Sequence, residues 1–414
     1  MTNSKQAILI RRLGGFGASL LFSTVVNLIG IPFVIVNLGA QVWAELSVAL
    51  AAAAVFGIVV SFGWGTVGAA MTAATPRSER PLLFVNSLAS RGYLFLFSVI
   101  PMILVMRFIA PSDPVAAGAA SFAYLLPFLG ASWYFVGQSM PWRLFFFDVL
   151  PQGLGIIFGV IGTFLVREVW VYVASLVAFN LAAVLCSALV VIRYDSLGSS
   201  KPSLAFRASM ARLAEQWHAV VAASTGTVNS SGPIIAVTLL GSPLLPVYAL
   251  ADKIFKYGVA GFGPVLQLIQ GWIPEAGPSE VERRVRRVSS LAPWFGLLGG
   301  LVLALVMPWA AAFLSAGRLV VGLNLSVPFG IVFAGVLMAQ VIGLACLIPI
   351  GLGHVLAKST AFGAAINLLL FVVLGIWFGG LGIAWSVAAA EVVVAGYQLL
   401  ALRRYFLERS AASY

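Results

Sequence analysis

VNLIGIPFVIVNLG at residues 26–39 and VNSSGPIIAVTLLG at residues 228–241 lie 202 residues apart in one register. Val26, Asn27, Gly30, Leu38 and Gly39 recur as Val228, Asn229, Gly232, Leu240 and Gly241, and the same offset pairs Ala49 with Ala251. A shared amide, a shared glycine and a shared Leu-Gly inside apolar sequence predict a duplicated unit, since the offset is close to half of the 414 residues. Two such lobes facing each other would enclose a cavity, the usual architecture of a transporter.

Composition sets the solvent. The chain is 61% hydrophobic and 9% charged, against roughly 25% charged in soluble domains, so it reads as a polytopic membrane protein. At about 20 residues per span, twelve spans fit. The first six are 13–38, 43–71, 82–108, 116–137, 145–166 and 169–192. The second six are 217–239, 244–272, 291–315, 325–350, 359–378 and 381–402. The expected organisation is an N-terminal lobe over 1–200, a linker helix over 201–216 and a C-terminal lobe over 217–414. Leu13 to Leu38 is too long for a signal-peptide core and reads as a retained span.

The fold class is therefore all-α. Six spans per lobe give both lobes the same orientation, which predicts a pseudo-two-fold axis along the membrane normal. This argues against inverted five-helix repeats. Of 24 lysines and arginines, 19 fall on one side of this topology, three on the other (Arg107, Arg167, Arg318), and Lys253 and Lys256 lie inside a span. Basic loops stay in the cytoplasm, so both termini are expected there, in a cell membrane. The net charge of +11 is then a topology signal and a contact with anionic lipids. Basic residues dispersed over short loops argue against nucleic-acid binding.

Two cytoplasmic connectors look structured. Ser203 to Trp217 carries Phe206, Met210, Leu213 and Trp217 on one stripe, with Lys201, Arg207 and Arg212 beside it, the pattern of an interfacial helix. Pro278 to Val288 reads as a short surface helix opened by a Ser279/Glu282 capping box. Pro32 and Pro233, beside Gly30 and Gly232, are expected to kink or unwind spans 1 and 7. The alternative is the ordinary irregularity of membrane helices.

The strongest polar cluster is Asp252, Lys253 and Lys256 in span 8. Charges near the bilayer centre cost at least about 2.5–3.5 kcal/mol each, so they must face protein or water. Asp252 and Lys256 are four apart and can pair; Lys253 is rotated by about 100° from Asp252. One reading is a structural ion pair with snorkelling lysines; the other is a cationic wall that holds a phosphate group. Glu391, isolated in span 12, is a candidate ion-coupling residue together with Asp252, or else a carboxyl bonded between helices. Asn27 and Asn229 are candidate substrate contacts for hydroxyls or phosphate, or else glue between helices. Weaker cavity candidates are Asn86, Arg91, Arg143, Gln267, Gln270, Gln340 and Asn367. Asp148 is expected at the membrane surface, and Trp64, Trp133, Trp170 and Trp217 in aromatic belts.

Other motifs carry no chemistry. Gly63–Gly68 matches a dinucleotide fingerprint in spacing but follows no strand, and its small residues suit close helix packing. His218 and His354 are far apart, so no metal or other cofactor is expected. Cys186 and Cys346 read as small core residues.

Asn37-Leu38-Gly39, Phe62-Gly63, Tyr248 through Ile254 followed by Pro274, and Gly380 through Ala384 together resemble bacterial polysaccharide flippases. These are oligosaccharide-lipid transporters of the O-antigen and exopolysaccharide type, within the multidrug/oligosaccharidyl-lipid/polysaccharide exporter superfamily. The resemblance implies alternating access, no enzymatic activity, and a polyprenyl-pyrophosphate-linked glycan moved from the cytoplasmic to the outer leaflet. A proton or sodium gradient could bias the cycle, with Glu391 or Asp252 titrating, and a polysaccharide polymerase is a candidate partner. Met71 stands where many members carry a basic residue, which leaves the first lobe less positive. A multidrug antiporter of the same superfamily is the alternative. A membrane glycan polymerase is disfavoured by short, nearly uncharged outward loops.

Overall fold

The computed structural model describes residues 2–110, 113–194, 205–213, 216–275 and 277–412, with the backbone alone for 2–13, 194, 208, 212, 222, 225, 278–279 and 410–412. Lys201 and Ser203 lie outside the described residues, as do the side chains of Arg212 and Ser279.

Among the described residues helices make up nearly all of the chain, and there is no strand. The helices are α1 (Thr2–Leu38), α2 (Ala40–Ser61), α3 (Trp64–Ala74), α4 (Arg80–Ile109), α5 (Pro114–Leu125), α6 (Ser132–Gly137), α7 (Pro141–Leu144), α8 (Leu150–Val166), α9 (Val169–Tyr194) and α10 (Phe206–Leu213). Then come α11 (Trp217–Leu239), α12 (Leu245–Trp272), α13 (Pro278–Leu314), α14 (Leu323–Gln340) and α15 (Gly353–Ala412). α2–α3, α5–α6 and α7–α8 each form one interrupted span, and α15 is two spans joined at Gly379, where φ is 58° and ψ −138°. Among the described residues nine helices are long and apolar enough to cross a membrane; with α15 divided at Gly379 and with α11 and α12 added, they make twelve spans. Two of them, α11 and α12, are long but more polar than the rest. α11 carries Ser224, Thr227, Asn229, Ser230 and Ser231, and α12 the three charges of span 8.

The repeated Leu-Gly does one job twice. Gly39 follows α1 at φ 95° and Gly241 follows α11 at φ 58°. Both backbones are left-handed, where a Cβ is penalised and glycine is not. The matching prolines do not interrupt their helices: Pro32 and Pro233 lie inside continuous α1 and α11. Gly30 serves packing instead, since a Cβ there would meet Ile156 at 3.1 Å.

The chain divides into two compact units, Met1–Ser231 and Gly232–Tyr414, with the boundary inside α11. In the first, α2 is central. Its Ala49, Ala51, Ala52 and Ala53 are buried, as are Ala116, Ala117, Gly118, Ala120 and Ala123 of α5. Small residues let backbones approach closely where lipid offers no hydrophobic drive. In the second, α13 and α14 cross at Gly300 and Gly330, where a Cβ on Gly330 would meet the Gly300 carbonyl at 2.5 Å. Large apolar side chains face outward, among them Leu96, Ile100 and Phe108 on α4 and Leu301, Trp309 and Phe313 on α13.

Three local expectations are corrected. Residues 278–288 are not a separate surface helix: they run unbroken into span 9 as one 37-residue helix. Ion pairs from Glu280 to Arg283 (2.5 Å) and Arg284 (3.8 Å) support its first turns, and no breaker precedes Pro293. Glu282 does not look back to its own N-terminus but pairs with Arg409 and accepts from Tyr405 at 3.1 Å. Finally, the apolar stripe of α10 is partly docked on protein. Leu213 is buried, Phe206 meets Tyr93 edge-on at 5.2 Å, and the Ser90 hydroxyl donates to the Ser209 carbonyl at 3.2 Å.

Candidate functional site

Span 8 holds its three charges well inside the helix. Lys253 and Lys256 are eight and eleven residues beyond Leu245, or about 12 and 17 Å along the axis at about 1.5 Å per residue. Tyr248, Asp252 and Phe255 share a helix face; Tyr248 and Phe255 pack on Phe329 of α14 at 5.3 and 6.0 Å. That contact buries Asp252. Lys256 lies one turn on and bonds Asp252 at 2.6 Å, with side-chain exposures of 38% for the lysine and 12% for the carboxylate. The pair is thus open on the lysine side. Lys253 points elsewhere: its ammonium lies 5.9 Å from the Tyr257 ring, and among the described residues no carboxylate is within ion-pair distance of it. One carboxylate against two ammonium groups leaves the cluster cationic.

The other expected site residues are not gathered with it by any bond. Asn27 donates to the Ser23 carbonyl of its own helix at 2.9 Å. Asn229 keeps a buried side-chain oxygen without a partner among the described residues. Glu391 lies against α14, where a Cβ on Gly335 would meet its Cβ at 2.8 Å. Asn367 is buried and Gln267 exposed.

Asp148 and two tryptophans depart from expectation. Asp148 is buried, in a π-helical turn over Phe145–Val149, rather than interfacial. Trp64 and Trp133, at 3% and 6% exposure, lie in the interior with ring centroids 4.9 Å apart. Trp170 and Trp217 are exposed. Gly68 makes this interior cluster possible, because a Cβ there would lie 2.7 Å from the Trp133 ring. Cys346 is buried but Cys186 is exposed, and neither forms a disulfide.

Those tryptophans frame a cavity of about 250 Å³ inside the first unit, lined by Ser61, Trp64, Gly65, Arg91, Phe128 and Trp133 among others. Backbone breaks shape it. Phe62 (φ 37°) and Gly63 (φ 86°) separate α2 from α3, and a 3-10 turn over Leu126–Leu129 separates α5 from α6. Arg91 is 1% exposed. Its guanidinium donates to the Phe128 and Gly130 carbonyls at 2.9 Å each and to Ser87 at 3.2 Å. It also lies 5.5 Å from the Trp133 ring. Sequence reading grouped Arg91 with the weaker candidates and took the first lobe as less positive for having Met71; Arg91 supplies a buried cation there. It missed Glu45 altogether, buried in α2 and bonded by Gln41 at 3.3 Å. The criterion that singled out Glu391, a lone carboxyl in an apolar run, applies to Glu45 too.

A second, basic groove of about 720 Å³ lies in the other unit, where Arg286, Ser289 and Ser290 of α13 face Arg403, Arg404 and Phe406 of α15.

No family profile matches the chain, and no curated protein sequence matches it. Solved structures do. A lipid II flippase, MurJ, in an inward closed conformation superposes with TM-score 0.71 at 12% identity, over 94% of this chain and 87% of that one. An inward-facing multidrug-resistance MATE transporter of the MOP superfamily gives TM-score 0.62 at 12% identity, over 95% and 96%. A MATE protein in a bent conformation gives 0.55 at 14% identity, over 98% and 97%. The protein thus has the multi-pass, twelve-span fold of MOP-superfamily transporters.

Proposed function

We propose that this protein is a flippase for a polyprenyl-pyrophosphate-linked oligosaccharide, carrying the head group from the cytoplasmic to the outer leaflet of a bacterial inner membrane by alternating access. The observation that carries this reading is the net-cationic cluster of Asp252, Lys253 and Lys256 deep in a polar span. Lysine is a mobile point charge suited to phosphate. A cavity built for organic cations would need the opposite sign. The likeness to a lipid II flippase supports a lipid-linked substrate.

In this mechanism the polyprenyl tail stays in the bilayer, and the pyrophosphate replaces Asp252 as the partner of Lys256 while Lys253 supplies a second positive charge. Asn229 offers a buried acceptor for sugar hydroxyls. Net movement requires contacts that differ between inward- and outward-facing states. A proton or sodium ion at Glu391 supplies that difference. The protein performs no bond chemistry on the glycan, and a polymerase consumes the product on the outer face. The test is transport in reconstituted vesicles: flipping of lipid-linked glycan without drug efflux supports the reading, and cation efflux without flipping replaces it by the multidrug antiporter.

A further inference from the structure

We infer that the basic groove between α13 and α15 in the second unit holds an anionic phospholipid, its phosphate among Arg286, Arg403 and Arg404 and its acyl chains along the apolar helix faces beside them. The groove, of about 720 Å³, is walled by both helices. It straddles the level where span 9 begins at Leu291 and span 12 ends at Leu402. Charge and apolar surface therefore meet there, as they do at the face of a bilayer. Arg286, Ser289 and Ser290 share a face of α13, and Leu400, Arg403, Arg404 and Leu407 a face of α15, since residues three and four apart are neighbours on a helix. The two serines turn their hydroxyls back to the carbonyls of Arg286 and Arg287 at 3.1 and 2.8 Å. Being small, they leave room between the helices.

The free charge in the groove calls for an anion. All three lining arginines are exposed, and among the described residues no carboxylate is within ion-pair distance of any of them. The carboxylates close by in sequence are engaged elsewhere, Glu280 with Arg283 and Arg284, and Glu282 with Arg409 and the Tyr405 hydroxyl. The Phe406 ring, 5.0 Å from the Arg286 guanidinium, sets that side chain in place. Arginine at all three positions suits a phosphate, which it grips with two parallel N–H bonds. The apolar half of the wall decides for a lipid over a soluble phosphate. Half of the lining residues are leucine or phenylalanine, and Leu400 and Leu407 are 59% and 66% exposed. Exposed Leu291, Trp294 and Phe295 carry the apolar path onward along α13. An aqueous anion gains nothing from that surface, whereas an acyl chain covers it. Basic pockets between spans hold lipid head groups in this way. The groove is built by helices other than α12, which carries Lys253 and Lys256, and the inference does not depend on what the protein transports.

The test is native mass spectrometry of the full chain in detergent, titrated with phosphatidylglycerol, phosphatidylcholine or soluble glycerol phosphate. One phosphatidylglycerol is expected to bind at least tenfold more tightly than phosphatidylcholine. That binding should weaken at least tenfold in Arg403→Gln/Arg404→Gln and in Arg286→Gln, with thermal melts like wild type because the side chains are exposed. Arg283→Gln removes an exposed charge outside the groove and should bind as wild type does. Equal binding of the two lipids, affinity unchanged in both groove variants, or an equal loss in Arg283→Gln overturns the site. Displacement of the lipid by equimolar glycerol phosphate overturns the lipid in favour of a soluble phosphate ester. Displacement by a polyprenyl phosphate makes the groove part of the substrate path and overturns its assignment to a membrane lipid.

Discussion

Asp252→Asn is expected to lower stability and yet tighten binding of the anionic head group. The carboxylate and the Lys256 ammonium are 2.6 Å apart, which at an effective dielectric of about 20 is roughly 6 kcal/mol of gross attraction. Desolvation offsets most of it. Breaking a fully buried pair costs about 3–5 kcal/mol and an exposed one about 0–1 kcal/mol. With Lys256 38% exposed, this pair falls between, at roughly 1–3 kcal/mol. That same free energy opposes a pyrophosphate that must draw Lys256 away from Asp252. Asparagine keeps the shape and removes the competitor. At about 1.4 kcal/mol per factor of ten, affinity for a short-chain polyprenyl pyrophosphate should rise roughly tenfold, while the unfolding midpoint in detergent falls. The assay is equilibrium binding to purified protein beside a thermal melt of the same sample. Affinity that is unchanged or weaker in Asp252→Asn would refute the exchange of partners at Lys256.

Gly68→Val should destabilise the first unit by about 1–3 kcal/mol through overpacking, because Trp133 is held by Trp64 and Arg91 and cannot yield; a melt equal to wild type would show that the cluster gives way. Gly379→Ala should cost about 1–3 kcal/mol of strain, since φ 58° with ψ −138° suits glycine alone. Trypsin digestion of the folded protein should then cut faster near that hinge, and unchanged digestion would remove the strain argument. Glu391→Gln should abolish acceleration of flipping by an imposed proton or sodium gradient while downhill flipping persists; gradient dependence that survives would move ion coupling to another residue, with buried Glu45 the next to substitute.

What the sequence revealed and what it hid follow from one property of membrane helices. Spans of about 20 apolar residues must satisfy their backbone internally, so length and hydropathy place most of the spans, while the more polar α11 and α12 are placed by length and by their match to the first-half repeat. The repeated Leu-Gly was legible because positive φ selects glycine, and Gly39 and Gly241 both adopt it. Which face of a span looks inward was not legible, since lipid and protein interior are alike apolar. That is why Trp64 and Trp133 read as belt residues and Arg91 only as a weaker cavity candidate. Helix interruptions were misplaced for a related reason. Proline marks a lost hydrogen bond, but α1 and α11 absorb it, whereas the real breaks fall at Phe62 and Gly63, where φ is positive, and at the 3-10 turn over Leu126–Leu129. Within span 8, spacing alone foretold the Asp252–Lys256 pair, because residues four apart share a helix face.

The most direct measurement is head-group translocation of a lipid-linked oligosaccharide in reconstituted vesicles by wild type and by Lys253→Ala/Lys256→Ala. The account predicts that the double variant folds and inserts but loses translocation by at least tenfold. Wild-type rates in that variant would contradict a cationic span 8 as the phosphate-binding wall.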